Sequence, residues 1–248
     1  MPRSVKLSIN LNKIALLRNQ RDVGYPDPLK AARTVIEAGA DGITVHPRPD
    51  ERHIRRADVM ALAELLTEDW AAGTEFNIEG FPSQAYLELV TAVRPTQATL
   101  VPDAPEQLTS DHGWHLPDRN KFLAPIVARL KGDGIRVSLF LDPEPNCIRA
   151  AAELGADRVE LYTGPYAQAF GGPAAATSRE RYRRAGEAAV EAGLGLNAGH
   201  DLALDNLPGL LPVLPELAEV SIGHAFTADA LWLGLEAAVG AYLEALSH

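Results

Sequence analysis

Eight short apolar runs recur along the chain, and a stretch with helical spacing follows each one. The runs cover residues 4–11, 42–47, 75–80, 97–102, 136–142, 158–163, 195–200 and 219–224. They are rich in Val, Ile and Leu, as parallel strands covered on both faces are. The stretches between them carry helix starts and stops. Asp27-Pro28 gives an N-cap and a proline at the first helical position, for a helix ending near Gly39. Ser83 starts another helix, and Thr177 with Glu180 reads as a capping box for one running to about Gly193. Thr227 reads as the cap of the last helix, ADALWLGLEAAVGAYLEAL. Two joints, EAGADGITVHP and ELGADRVELYTG, share the order helix end, Gly-Ala-Asp, buried strand, polar residue. Such weak self-similarity suits a repeated βα unit.

This alternation predicts an α/β chain in which residues 1–248 form one (β/α)8 TIM barrel with extra helices. The length of 248 residues fits one such barrel. An open doubly wound sheet is the second choice, but no G-x-G-x-x-G follows the first strand. The longest irregular stretches, 103–118 and 164–176, both follow strand carboxyl ends and are candidate active-site loops.

Composition narrows the class of partner. A net charge of −10 argues against nucleic acid. No apolar run approaches the roughly 18 residues of a membrane helix. The opening MPRSVKLSINLNK reads as a first strand rather than a signal peptide. The single cysteine, Cys147, cannot form an internal disulfide, so a cytoplasmic location is expected. Charge is uneven: residues 1–56 hold 11 Lys+Arg against 6 Asp+Glu, and the remainder 12 against 27. A basic segment in an acidic protein points to a small anionic ligand.

Polar residues sit at the ends of the apolar runs: Asn10, His46, Glu79, Glu160, His200 and His224. A barrel brings the carboxyl ends of all its strands to one face, where its chemistry is built. A carboxylate such as Glu79 at the end of an apolar strand is partly desolvated, which raises its pKa and suits it to proton transfer. The competing reading is an ion pair with an arginine. A lone histidine is more often structural, but three histidines and two glutamates on one rim exceed what packing needs. Arg21, Arg48, Arg52 and His53 lie in the first two βα loops, and guanidinium groups match phosphate. Gly199-His200 and Gly223-His224 end the last two strands, where barrels often bind phosphate through backbone N–H groups. Two anion sites imply two phosphorylated substrates or one bisphosphate. Metal-dependent hydrolysis is the main competing chemistry. It commonly places His-x-His on the first strand, which here carries Asn10, Asn12 and Lys13.

The segments INLNKIALLRNQR, YPDP, GADGITVHPRPDERHI, FNIEG, LVPD, GIRVSLFLDP, VELYTGPYA, LNAGHDL and SIGHA run in order along almost the whole chain. Together they resemble the pyridoxine 5'-phosphate synthase family. The resemblance implies a barrel assembled as an octamer, with no metal and no organic cofactor. It implies condensation of 1-deoxy-D-xylulose 5-phosphate with 3-amino-2-oxopropyl phosphate, giving pyridoxine 5'-phosphate, phosphate and water. By motif position, His46 and Glu79 resemble proton acceptors and His200 a proton donor. Glu160 resembles a carboxylate that stabilises a transition state. Asn10, Arg21, Arg48, His53 and Thr109 resemble substrate-binding positions, and so do Asp201, Gly223 and His224. The chain departs from the common pattern at Asn12-Lys13, where Asp-His is usual, and at Asp201, where Gly is usual. Ser221 stands for an Asn and Asp229 for an Arg. Lys13 is therefore a candidate for an anion contact of its own. Another phosphate-handling barrel enzyme, or a barrel that only binds a phosphorylated ligand, remains the alternative.

Overall fold

The computed structural model describes residues 5–21, 23–104, 107 and 109–247, apart from the side chains of 117–119. Among the described residues, eight parallel strands close into a barrel in sequence order. They are β1 Lys6–Asn10, β2 Gly42–Val45, β3 Glu75–Gly80, β4 Gln97–Leu100, β5 Arg136–Leu141, β6 Arg158–Tyr162, β7 Gly195–Gly199 and β8 Leu217–Ile222. The helices are α1 Asn12–Asn19, α2 Pro28–Glu37, α3 Arg56–Leu65, α4 Gln84–Val93, α5 Leu116–Gly132 and α6 Pro145–Glu153. They continue with α7 Gly164–Ala169, α8 Ala175–Glu191, α9 Leu207–Leu210, α10 His224–Leu233 and α11 Leu235–Ala245.

Successive strand side chains point to opposite faces. One set is apolar and fully buried under the helices, for example Leu7, Ile9, Ile43, Ile78, Leu100, Leu139, Val159 and Val220. The other set fills the barrel and is polar. Ser8 bonds Thr44 at 2.7 Å, Asn77 reaches Thr44 at 3.4 Å, and Thr99 donates to Asn77 at 2.9 Å. Lower in the barrel, Glu75 is paired with both Lys6 and Arg136, and Arg136 also donates to Gln97 at 2.8 Å. Arg158 donates to Asn197 at 3.0 Å, and Asn197 to Glu219 at 3.3 Å. The strands are thus alternating, not uniformly apolar; inward polar residues such as Lys6, Ser8, Thr44 and Arg136 escape an apolar-run reading because each is flanked by Val, Ile or Leu.

Several predicted helix signals hold. Asp27 accepts from the Leu29 N–H at 2.9 Å with Pro28 at the first position, and Ser83 accepts from the Tyr86 N–H at 3.3 Å. Others do not. α8 begins at Ala175, so Thr177 lies inside it and forms no cap. Ala174, Ala175 and Ala176 are strong helix formers and extend the helix upstream. Thr227 likewise lies within α10, its hydroxyl donating to the Gly223 carbonyl at 2.9 Å. Gly234, at φ +83°, splits the expected last helix in two. The 164–176 stretch is partly helical, as α7. β8 starts and ends two residues earlier than expected.

A buried ion pair holds the second βα loop in place. Arg18 of α1 meets the Asp58 carboxylate of α3 through two nitrogens, at 2.6 and 2.8 Å. The same guanidinium donates to the His53 carbonyl at 3.2 Å, and Asn19 donates to the carbonyls of Glu51, Arg52 and His53. Removing one partner of a buried pair strands the other charge, which costs about 3–5 kcal/mol. Asp58→Ala is expected to lose stability on that scale in urea titration, and Asp58→Asn less. A loss near that of an exposed pair, under about 1 kcal/mol, would contradict this account.

Candidate active site

A cavity of about 440 Å³ opens at the carboxyl end of the barrel. Asn10, Lys13, His46, Arg48, His53, Glu79, Thr109, Glu160, His200, Asp201, Gly223 and His224 all line it. Arg21 does not; it is exposed just beyond the end of α1.

One wall is built by β1, β2 and β3. The Asn10 side-chain oxygen Oδ1 accepts from the Asn12 N–H at 3.0 Å, and Asn12 Oδ1 in turn accepts from the His46 N–H at 2.9 Å. Asn10 then offers its amide to Glu79 Oε2 at 3.4 Å, and His46 Nδ1 lies 3.8 Å from the same oxygen. Burial, reinforced by the charges of Asp103 and Glu219 and opposed by Arg48, pushes the Glu79 carboxyl up to about 8. Burial also holds His46 well below the usual imidazole value, helped by Arg48, His53 and Arg52. Near pH 7 the pair therefore consists of a carboxyl that keeps its proton and an imidazole that has lost its own. His53 is lowered to about 4, first by burial and then by Arg48, Lys13 and Arg52. Its Nδ1 accepts from the Ile54 N–H at 2.9 Å, so the ring proton sits on Nε2.

The opposite wall comes from β6 and β7. Glu160 is 3% exposed, and among the described residues its Oε2 has no hydrogen-bond partner. Burial and the charges of Glu79 and Glu219 raise it well above the usual carboxylate range. A Cβ at position 199 would overlap Glu160 Oε1, so glycine is what lets the carboxylate lie against β7. Tyr162, two residues on and therefore on the same face, sets its ring edge-on to His200 at 5.2 Å. His200 Nε2 meets Thr109 Oγ1 at 3.0 Å.

The rim is basic on one side. Arg48 was expected to face an anion, and it does line the cavity. Its guanidinium is also engaged with the Asp103 carboxylate and with the Gln107 carbonyl at 2.8 Å. Arg52 donates to the same carbonyl at 2.9 Å. The two arginines thus tie the loop after β4, which carries Thr109, to the loop after β2. Ser110 donates to Asp103 at 2.6 Å and completes the tie. Gly223 and His224 form the start of α10, and the unpaired N–H groups of a helix N-terminus favour an anion. Among the described residues, no group of three or more His, Cys, Asp or Glu could hold a metal ion.

Asp103, Phe140 and Tyr162 were not singled out from sequence, and Asn12 was noted only as a departure. Asp103 directly follows the 97–102 run in LVPD, and Tyr162 shares the period-two face of Glu160. Those signals were present.

Fold and cavity together define a (β/α)8-barrel enzyme with acid–base groups on two walls and cationic groups at its rim. Residues 7–248 match the family described as "Pyridoxal phosphate biosynthesis protein PdxJ". The chain belongs to that family. It is 54% identical over 243 residues to the pyridoxine 5'-phosphate synthase of Brucella anthropi, covering 98% of this chain and 99% of the relative. The protein of the same name from Brucella abortus is also 54% identical, covering 98% of each chain. Among solved structures, tryptophan synthase from M. tuberculosis is similar with a TM-score of 0.66 at 14% identity, covering 99% of this chain and 94% of that one. Phosphoribosyl anthranilate isomerase from Thermotoga maritima is similar with a TM-score of 0.56 at 13% identity, covering 98% of each. These two likenesses concern the fold alone.

The contact between Gly199 and Glu160 yields a test. Gly199→Ala should destabilise the protein by about 1–3 kcal/mol, the usual cost of overpacking. Much of that loss should vanish when Glu160→Ala is added, because the two changes share one contact. Additive losses in a double-mutant cycle would show that the carboxylate is not held against β7.

Proposed function

We propose that this protein is a pyridoxine 5'-phosphate synthase, condensing 1-deoxy-D-xylulose 5-phosphate with 3-amino-2-oxopropyl phosphate. The observation that carries the reading is the gathering of His46, Glu79, Glu160 and His200, from four different strand ends, into one cavity. The 54% identity to synthases over nearly the whole chain supports it. Assembly as an octamer, which the family resemblance implies, is part of the same reading.

The reaction joins an amine to a ketone, releases water and phosphate, and closes an aromatic ring. Each dehydration delivers a proton to a departing hydroxyl, and each tautomerisation removes one from carbon. Groups titrating near neutrality suit both tasks. His46, neutral at pH 7, is ready to accept a proton. Glu79 accepts one in the fraction that is ionised, a fraction that grows as pH approaches about 8. The two lie 3.8 Å apart, so proton exchange between them takes a bridging water or a closer approach. His200 delivers a proton from the opposite wall. Glu160, raised by burial and by the charges of Glu79 and Glu219, is assigned to the positive charge that develops on the substrate nitrogen, a charge that favours its ionised form. The pentulose phosphate is assigned to the basic rim of Arg48, His53 and Lys13 with Thr109, and Asn10 orients the sugar. The amino-ketone phosphate is assigned to Gly223 and His224 at the start of α10, with the backbone of Asp201.

Mixing the purified protein with both substrates should give pyridoxine 5'-phosphate, read by mass. Glu79→Gln keeps size and hydrogen bonding but cannot accept the proton. Its single-turnover rate should fall by about 10²-fold or more, the scale of losing a general base. Substrate affinity should change much less. Near-normal turnover in the folded variant would remove Glu79 from the chemistry and make Glu160 the first candidate for the base. No product from the unaltered protein would overturn the assignment.

A further inference from the structure

The loop after β7 passes through two successive left-handed residues, neither of them glycine: His200 at φ +83° and Asp201 at φ +57°. Side chains rarely adopt that backbone, although Asp tolerates it better than most. Where it persists, the surroundings over-determine it, commonly at functional sites. Here the turn sets the two neighbouring side chains against each other. His200 Nδ1 lies 3.1 Å from Asp201 Oδ2, within ion-pair reach but out of line for a hydrogen bond. Nδ1 is otherwise buried and, among the described residues, without a hydrogen-bond partner. The Asp201 side chain is half exposed, so a rotation of its carboxylate completes the bond. On the far side of the ring, Nε2 is already engaged with Thr109 at 3.0 Å, and the edge-on Tyr162 limits sideways swing.

We infer that Asp201 is a positioning residue: its carboxylate accepts a hydrogen bond from the Nδ1–H of His200 and fixes both ring and tautomer, leaving Nε2 turned to Thr109 and the cavity. When the charged ring gives the Nε2 proton to a departing hydroxyl, the neutral ring left behind is the Nδ1–H tautomer, bonded to the carboxylate. The same carboxylate would repel a phosphate placed beside it, so its partner is the imidazole and not the anion. Its surroundings keep it ionised. His200 first, then His224 and Lys13, hold the Asp201 carboxyl below the usual value against its partial burial. Lys13 from α1, His224 from α10, Glu160 and Tyr162 from β6 and Asp111 from the loop after β4 share this cavity. Lys13, assigned above to the pentulose phosphate, thus also helps to keep the Asp201 carboxylate ionised.

The proton-donor role of His200 rests on the proposed function; the pairing with Asp201 does not, and the test separates them. The full chain, labelled with ¹⁵N-histidine, is observed by NMR at a pH where the His200 ring is neutral, the signals being assigned by their loss in His200→Gln. The neutral ring should carry its proton on Nδ1 in the unaltered protein and on Nε2 in Asp201→Gly, a change the left-handed backbone accommodates. In parallel, kcat of Asp201→Gly should fall by about tenfold or more, part of the roughly 10²–10⁴-fold that a positioned acid supplies. KM should stay within about threefold. Asp201→Asn, whose amide oxygen still accepts the Nδ1 proton, should recover part of the loss. A ring protonated on Nε2 in the unaltered protein, or a tautomer indifferent to Asp201→Gly, would overturn the inference. So would a KM that rises while kcat and tautomer hold. If no variant turns over the substrates, the tautomer alone still decides the pairing, and the failure falls on the proposed reaction.

Discussion

The barrel of this protein is filled with polar side chains, and every other feature of the molecule answers to that. Charges and amides placed inside a closed sheet must find partners in one another, because water is largely excluded. At the amino end of the strands they do so by pairing: Glu75 between Lys6 and Arg136, and Asn197 between Arg158 and Glu219. Such buried pairs add little net stability but penalise any misplacement of the strands that carry them. Higher up, the pairing runs out. Among the described residues, Glu79 has only a long contact to Asn10 and an imidazole at 3.8 Å, and Glu160 has an oxygen with no hydrogen-bond partner. Glu160 and His200, each with a buried atom left unsatisfied, both face the cavity.

The proton states of the site follow from the same cause. Desolvation is the leading contribution for Glu79, Glu160 and His46, raising the acids and lowering the base. The result is a neutral carboxyl beside a neutral imidazole, a pair able to move a proton either way at modest cost. This has a thermodynamic consequence. A carboxyl whose folded value exceeds its unfolded one favours folding at low pH. That contribution is fully present below about 4.5 and lost as pH rises through about 8. The protein thus gives up stability in the range where Glu79 becomes a base.

Much of this was legible in the sequence because strand carboxyl ends are easy to find. Asn10, His46, Glu79, Glu160 and His200 terminate apolar runs, and the barrel closes those ends onto one face. Less legible was anything that depends on what lies across the barrel. Lys6 and Arg136 read as punctuation between apolar residues and Glu75 as the start of a run, and only the closed sheet makes the three partners. Thr177 and Thr227 looked like caps because local spacing allowed it, but alanines upstream and the start of α10 at His224 placed the true helix ends elsewhere. Arg48 looked like a free cation, and the fold gives it Asp103 and the carbonyl of Gln107. Asp201 read as an unfavourable change beside an anion site; the left-handed turn that aims it at His200 has no signature in residue order.

The central claim, that desolvation in a polar barrel leaves Glu79 protonated beside His46 at neutral pH, can be measured on the resting protein. Isotope-edited infrared spectroscopy with ¹³C-labelled glutamate reports the protonated carboxyl directly. The account predicts a band present at pH 7 that disappears with a midpoint near pH 8 and is missing from Glu79→Gln. A midpoint near the ordinary glutamate value of 4.5, with no Glu79-dependent band left at neutrality, would contradict it.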